Sequence, residues 1–239
     1  MVQIISIDGN IGSGKSTFVQ KMKQEFNDNN KIIFIDEPVD EWSNICDKNG
    51  ETILSKFYKN QTKYAFSFQM MAFISRLNKI KSAYENNPDS IIITERSIYT
   101  DKYVFAKMLY DDDKMEEVEY KIYLQWFDSF AKDFPIEKIV YIKTDPEVCL
   151  ERIAKRSREG EAIIPLEYLK NCHLYHEKMI ECESLPINNI ESIDGNENIF
   201  ETIVQQKWLD KLDRFISNSR SDSIDNEILT PTLGKSFTF

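Results

Sequence analysis

Val2-Gln3-Ile4-Ile5-Ser6-Ile7-Asp8 runs directly into Gly9-Asn10-Ile11-Gly12-Ser13-Gly14-Lys15-Ser16. The first stretch is a short, continuous apolar run, the pattern of a strand covered on both faces. The second fits GxxxxGK[ST] and opens a helix at Lys15. Strand, glycine-rich loop and helix in that order are the context the motif requires. The glycines let backbone N–H groups converge on phosphate oxygens, and the helix N-terminus adds partial positive charge. Lys15 is placed to reach the outer phosphates of a nucleoside triphosphate, and Ser16 to offer its hydroxyl to Mg²⁺. The loop implies a bound triphosphate and leaves the reaction open.

Working outward, residues 32–36, 90–94 and 139–143 are further β-rich runs, and residues 190–194 a weaker fifth. Helical segments separate them, which predicts an α/β fold with a parallel sheet built from βα units. Residues 61–85 carry Phe66, Met70, Phe73 and Leu77 at three- and four-residue steps. Residues 116–130 carry Val118, Ile122, Leu124, Trp126 and Phe130, an apolar face too wide for a helix buried on one side only. Trp126 and Trp208 read as packing residues. Pro88, Pro135 and Pro146 fall in connections or at helix starts. From 217 to 239 the composition turns to Ser, Asp and Asn, so residues 1–216 read as one domain and 217–239 as a mobile tail.

The 239 residues are 41% hydrophobic and 29% charged, an ordinary globular balance that excludes a disordered chain. The formal charge of −10 argues against a broad nucleic-acid surface. The four cysteines, Cys46, Cys149, Cys172 and Cys182, form no CxxC pair and read as free thiols in a reducing compartment. No apolar run approaches the roughly 20 residues of a membrane span. Met1 leads straight into the first strand, so a cytoplasmic protein without a leader is expected. Cys172, His173 and His176 lie close together but lack a fourth ligand for zinc.

Other readings of the loop fit less well. Guanine-reading GTPases usually carry Asn-Lys-x-Asp after a strand, and Asn30-Lys31 and Asn78-Lys79 lack that Asp. Motor ATPases usually end an apolar strand in Asp, whereas Ile91-Ile92-Ile93-Thr94 runs into Glu95-Arg96-Ser97.

Ligands of open parallel sheets sit beyond the carboxyl ends of the strands. The second strand ends at Asp36-Glu37-Pro38-Val39 and the third at Glu95-Arg96-Ser97. If both flank the first, Glu37 and Arg96 face the phosphate loop, and a carboxylate beside an arginine there suits deprotonating a hydroxyl nucleophile. An ion pair tying two loops together is the plainer alternative. Arg152, Lys155, Arg156 and Arg158 cluster on a later helix, with Arg152 and Arg156 on one face at i, i+4. They read either as a lid closing guanidinium groups over phosphates or as a solvated helix end.

Taken together, these residues resemble the deoxyribonucleoside kinase family, which groups deoxycytidine, deoxyguanosine and mitochondrial thymidine kinases with the broad insect enzyme. Five segments carry the match in order: Gly9 through Thr17; Glu37-Pro38-Val39 with Trp42; Phe68-Gln69 with Ser75-Arg76; Glu95-Arg96-Ser97-Ile98-Tyr99-Thr100-Asp101; and Arg152 through Leu169, ending Ile164-Pro165-Leu166-Glu167-Tyr168-Leu169. They span about residues 1 to 216. The resemblance implies a phosphate-loop kinase fold, a five-stranded parallel sheet flanked by helices, with an arginine-rich lid. It implies ATP with Mg²⁺ as donor, a deoxynucleoside as acceptor and a homodimer, with no nucleic-acid or membrane partner.

The resemblance also implies roles. Glu37 matches the general base for the nucleoside 5′-hydroxyl, Arg96 its partner, and Lys15 the catalytic phosphate-loop lysine. Gly9, Asn10, Ile11, Gly12, Ser13, Gly14, Lys15, Ser16 and Thr17 match the ATP loop. Arg152, Arg156 and Arg158 match the lid arginines, and Asp194 and Asn196 the loop near the donor's base. Ser16 and Glu95 match the positions beside Mg²⁺. Gln69 matches the amide that bonds the base edge. Tyr58 and Glu161 match the pair on the sugar 3′-hydroxyl. Trp42, Phe68, Phe105 and Phe57 resemble the apolar walls.

Arg76 and Asp101 match an arginine–aspartate pair of the deoxycytidine and deoxyguanosine kinases that thymidine-type members lack. An aspartate facing the O4 carbonyl of thymine opposes two acceptors, and an unpaired buried polar group costs about 1–3 kcal/mol. Deoxycytidine, deoxyadenosine or deoxyguanosine is therefore expected ahead of thymidine. The competing readings are a thymidylate-kinase-like nucleoside monophosphate kinase and an inactive nucleotide-binding regulatory subunit.

Overall fold

The computed structural model describes residues 2–156, 164–187 and 189–227, with side chains followed to residue 216. Its central sheet has five parallel strands: β1 (Gln3–Gly9), β2 (Ile32–Ile35), β3 (Ile91–Glu95), β4 (Lys138–Lys143) and β5 (Asn189–Asp194). Their spatial order is β2-β3-β1-β4-β5. Ile4, Ile5, Ile7, Ile92, Ile93, Ile139, Val140 and Ile142 are all buried, because helices cover both faces of the inner strands.

The helices are α1 (Lys15–Glu25), α2 (Val39–Ser43), α3 (Ile53–Lys59), α4 (Gln61–Asn86), α5 (Ile98–Thr100), α6 (Lys107–Asp111), α7 (Glu117–Phe130), α8 (Pro146–Arg156), α9 (Leu166–Ile180) and α10 (Thr202–Glu227). Several starts have a local cause. Thr52 and Asn60 accept hydrogen bonds from Ser55 and Lys63 N–H and so cap α3 and α4. Glu116 and Glu119 form a capping box at α7, and Pro146 is the first residue of α8. Between α5 and α6, Asp101–Ala106 is π-helical, a form found mostly as single wide turns at functional sites. The chain divides into two compact units, Met1–Ile199 and Phe200–Phe239, the second built on α10. That helix continues past Ser217, the start of the expected tail.

Strand order departs from the expectation in one respect. β3 and β4 flank β1, and β2 pairs only with β3. Glu37 therefore reaches the phosphate loop from one strand farther out, and the register supplies the missing link by pairing Ile7 with Glu95. The carboxyl ends of β1 and β3 lie side by side, with Arg96 N–H donating to Ile7 O at 3.0 Å.

The α7 expectation holds in outline. Tyr123 and Phe127 turn inward onto Phe73 of α4. Val118, Ile122, Trp126 and Phe130 form a second stripe at four-residue steps and are 40–59% exposed. Trp126 is therefore half exposed beside Phe130, ring centroids 5.7 Å apart, rather than in the core.

Candidate active site

The phosphate loop is held by contacts from three directions. Thr144 Oγ1 and Arg152 Nη1 both donate to Ser13 O at 3.1 Å, and Asn10 Nδ2 donates to Leu169 O of α9 at 2.9 Å. Gly12 has φ +78°, and a Cβ there would lie 2.6 Å from Cys149 O of α8. The loop can press against α8 only because this residue has no side chain. Lys15 is buried, and its Nζ donates to Asn10 O at 2.7 Å. Burial first, then Arg96, lowers its pKa to about 7, against the opposing pull of Glu37 and Glu95. A buried ammonium beside Arg96 is costly to keep charged, and an anion bound in the loop would offset that cost.

Ser16 Oγ donates to Glu95 Oε1 at 2.6 Å. A hydroxyl and a carboxylate side by side at the loop's mouth are hard oxygen donors, and Mg²⁺ is commonly held by one or two carboxylates plus substrate phosphates. The donor set fits that ion. Among the described residues no group of three or more His, Cys, Asp or Glu could hold a metal by itself.

Arg96 occupies the left-handed region, φ +70°, a strained backbone for a residue with a Cβ that persists only where the surroundings impose it. Here the constraints are clear. Besides its N–H bond to β1, its carbonyl accepts from Thr94 Oγ1, and its Nη1 donates to Gly9 O at 3.1 Å. The guanidinium lies 4.8 Å over the Phe105 ring. Its Nε donates to Glu37 Oε1 at 3.0 Å.

Arg76, 1% exposed on α4, donates to the same Glu37 oxygen through Nη2 at 3.1 Å. Its Nε donates to Asp101 Oδ2 at 2.9 Å and its Nη1 to Glu95 O at 2.9 Å. The π-helical turn carries both Asp101 and Phe105. Burial alone would raise the Glu37 pKa, but Arg96, Arg76 and Lys15 outweigh it and hold the carboxyl well below the usual carboxylate range. Burial works against the Arg76 charge too, and Asp101 and Glu37 more than restore it.

Gln69, Ala72 and Arg76 lie at i, i+3 and i+7 of α4 and are all buried. Gln69 Oε1 has no hydrogen-bond partner among the described residues. A buried acceptor left unpaired is costly, and a ligand N–H would relieve it. Phe57 stacks on Phe68 with centroids 4.5 Å apart, and Trp42 meets Phe68 edge-on at 5.6 Å. Tyr58 meets Tyr168 edge-on at 6.3 Å.

Lys15, Glu37, Arg76, Glu95, Arg96, Asp101 and Phe105 are thus brought together in one place. Arg152 is used differently from a phosphate-gripping lid residue. Its guanidinium donates to the backbone carbonyls of Ser13, Gly195 and Glu197, tying the phosphate loop to the turn after β5. In that turn Asn196 Oδ1 accepts from Asp145 N–H, and Asp194 Oδ1 accepts from Asn196 N–H. Arg156 lies close enough to Lys15 to depress its pKa further. Arg158 and Glu161 lie outside the described residues. Sequence reasoning missed the Arg76–Glu37 contact, although the apolar stripe that places Gln69 and Arg76 on one face of α4 was a partial signal.

The family model for deoxynucleoside kinase matches residues 5–217. The chain is 33% identical to deoxycytidine kinase of Homo sapiens, with 86% of this chain and 89% of the relative covered. It is 33% identical to deoxycytidine kinase 1 of Xenopus laevis, covering 90% and 91%. It is also 32% identical to mitochondrial thymidine kinase 2 of Homo sapiens, covering 85% and 76%.

The Lys15 environment predicts a proton linkage. A triphosphate favours the charged ammonium, so the bound-state pKa rises above the free value of about 7. ATP binding should take up protons above pH about 7, and affinity should fall as pH rises through that range. Calorimetry in two buffers of different ionisation enthalpy measures the uptake. Lys15→Met should abolish most of it, and unchanged uptake in that variant would contradict the assignment.

Proposed function

The chain belongs to the deoxynucleoside kinase family, and we propose that it transfers the γ-phosphoryl group of ATP to the 5′-hydroxyl of a deoxynucleoside, with deoxycytidine or a purine deoxynucleoside preferred over thymidine. The observation that carries the reading is Glu37. Both arginines bond its Oε1, so neither competes with a hydroxyl for the other carboxylate oxygen.

The low Glu37 pKa suits this chemistry. In a loose phosphoryl-transfer transition state the alcohol carries little negative charge. Its proton becomes strongly acidic only as the new P–O bond forms, so a weakly basic carboxylate that orients the hydroxyl and accepts the proton late is sufficient. Lys15 and Arg96 neutralise charge on the transferring oxygens. Ser16 and Glu95 would hold Mg²⁺, which would further neutralise phosphate charge. Gln69, with its unpaired Oε1, and Arg76 with Asp101 address the base edge, while Trp42, Phe57 and Phe68 supply its apolar surroundings. We assign Tyr58 and Glu161 to the sugar 3′-hydroxyl, and Arg156 and Arg158 to the lid, on their motif resemblance alone.

We further propose a homodimer that covers the exposed stripe of α7. Val118, Ile122, Trp126 and Phe130, all 40–59% exposed, are the surface that a second copy would cover. The free cysteines suit the cytoplasm.

Glu37→Gln should lower turnover by about 10²–10⁴-fold with little change in nucleoside affinity. Near-normal turnover would move the base role elsewhere, with Glu95 the next candidate. For specificity, kcat/KM is measured for thymidine, deoxycytidine, deoxyadenosine and deoxyguanosine in wild type, Arg76→Met, Asp101→Ala and the double variant. The double variant should gain thymidine through KM and lose the original substrate, and each single variant should be worse because it strands a buried charge. A wild type that already prefers thymidine contradicts the Asp101 argument. Trp126→Glu should shift the chain from dimer to monomer in sedimentation, and an unchanged dimer would place the interface on another surface.

A further inference from the structure

We infer that Arg76 positions the catalytic carboxylate as well as facing the base, so that base recognition and phosphoryl transfer share one hydrogen-bonded ion network. The inference rests on the kinase reading above and adds a role for Arg76 in the transfer step itself.

The geometry leaves this guanidinium almost no freedom. Nε is committed to Asp101 Oδ2 and Nη1 to Glu95 O, each at 2.9 Å. Nη2 stands between two carboxylates, 3.1 Å from Glu37 Oε1 and 3.5 Å from Asp101 Oδ1. An arginine serving only the base would need no contact with Glu37. One serving only as a structural tie would not share its oxygen with Arg96, which approaches the same Oε1 at 3.0 Å. Two donors converging on one oxygen fix the plane of the carboxylate and turn the other oxygen toward the acceptor hydroxyl. Asp101 acts one step back, by clamping the Nε edge and setting the direction of Nη2.

Discrimination between bases should follow from the same linkage. A base that pushes Arg76 off Asp101 also moves the donor that holds Glu37. The penalty then appears in the transfer rate as well as in binding, and a poor base is bound yet turned over slowly.

The test is a cycle read by single-turnover phosphoryl transfer at saturating ATP and saturating deoxynucleoside, using the best natural substrate. The pair Arg76→Met with Asp101→Ala, which strands no charge, is made in wild type and in the Glu37→Gln background. If Arg76 acts through Glu37, the pair should cost roughly tenfold or more in transfer rate when Glu37 is present and under about threefold when it is replaced. Equilibrium nucleoside binding, measured in the same variants, should weaken equally in both backgrounds. Arg76→Lys keeps the charge without the fork geometry and should show a smaller loss with the same dependence on Glu37. It carries the test if the pair does not fold.

Equal fold losses in both backgrounds, or weakened binding with an unchanged transfer rate, overturn the inference and leave Arg76 a reader of the base alone. A wild type that phosphorylates no nucleoside overturns the kinase reading, and this inference with it.

Discussion

One oxygen atom, Glu37 Oε1, joins the parts of this site. It accepts from Arg96 at the end of β3 and from Arg76 in the middle of α4, while Glu37 itself follows β2. Three chain segments distant in sequence thereby meet on a single carboxylate. Arg96 adds Gly9 O of the phosphate loop, and Arg76 adds Asp101 and Glu95 O. Breaking such a buried, hydrogen-bonded charge cluster at one member leaves the others uncompensated and costs several kcal/mol, on the order of 3–5. The strained φ of Arg96 is held against relaxation by the same contacts.

The electrostatics run opposite to the composition. The chain as a whole carries −10, yet Arg96, Arg76 and Lys15 gather around Glu37 beside the loop and outweigh the burial of its carboxyl. A negative exterior with a positive pocket disfavours long polyanions, which need a broad basic surface. It remains compatible with a compact anion whose charge fits within the loop. Arg152 contributes indirectly, by locking the carbonyls of Ser13, Gly195 and Glu197 into one rigid edge.

Much of this was legible in the sequence, for identifiable reasons. The inner strands β1, β3 and β4 are rich in Ile and Val because inner parallel strands are buried on both faces, and the glycine-rich loop advertises its own geometry. Even the weak fifth run forms β5. What stayed hidden is non-local or conformational. Residue pattern carries no strand order, so the insertion of β3 between β2 and β1 could not be read. The left-handed Arg96 and the π-helical Asp101–Ala106 turn come from tertiary constraint and override local preference. The Arg76–Glu37 bond spans a sequence separation of 39 and has no local signature. Trp126 read as packing because a lone sequence cannot tell a covered apolar face from an open one; in the structure it is 45% exposed.

The central claim is that an alcohol, the 5′-hydroxyl of a deoxynucleoside, attacks a triphosphate in this loop. Its most direct measurement is ADP formation from ATP in three parallel reactions: enzyme alone, with a natural deoxynucleoside, and with the corresponding deoxynucleoside 5′-monophosphate. The account predicts ADP release that depends on the deoxynucleoside and yields its 5′-monophosphate in equal amount. Turnover only with the monophosphate, or a rate indifferent to both acceptors, would contradict it.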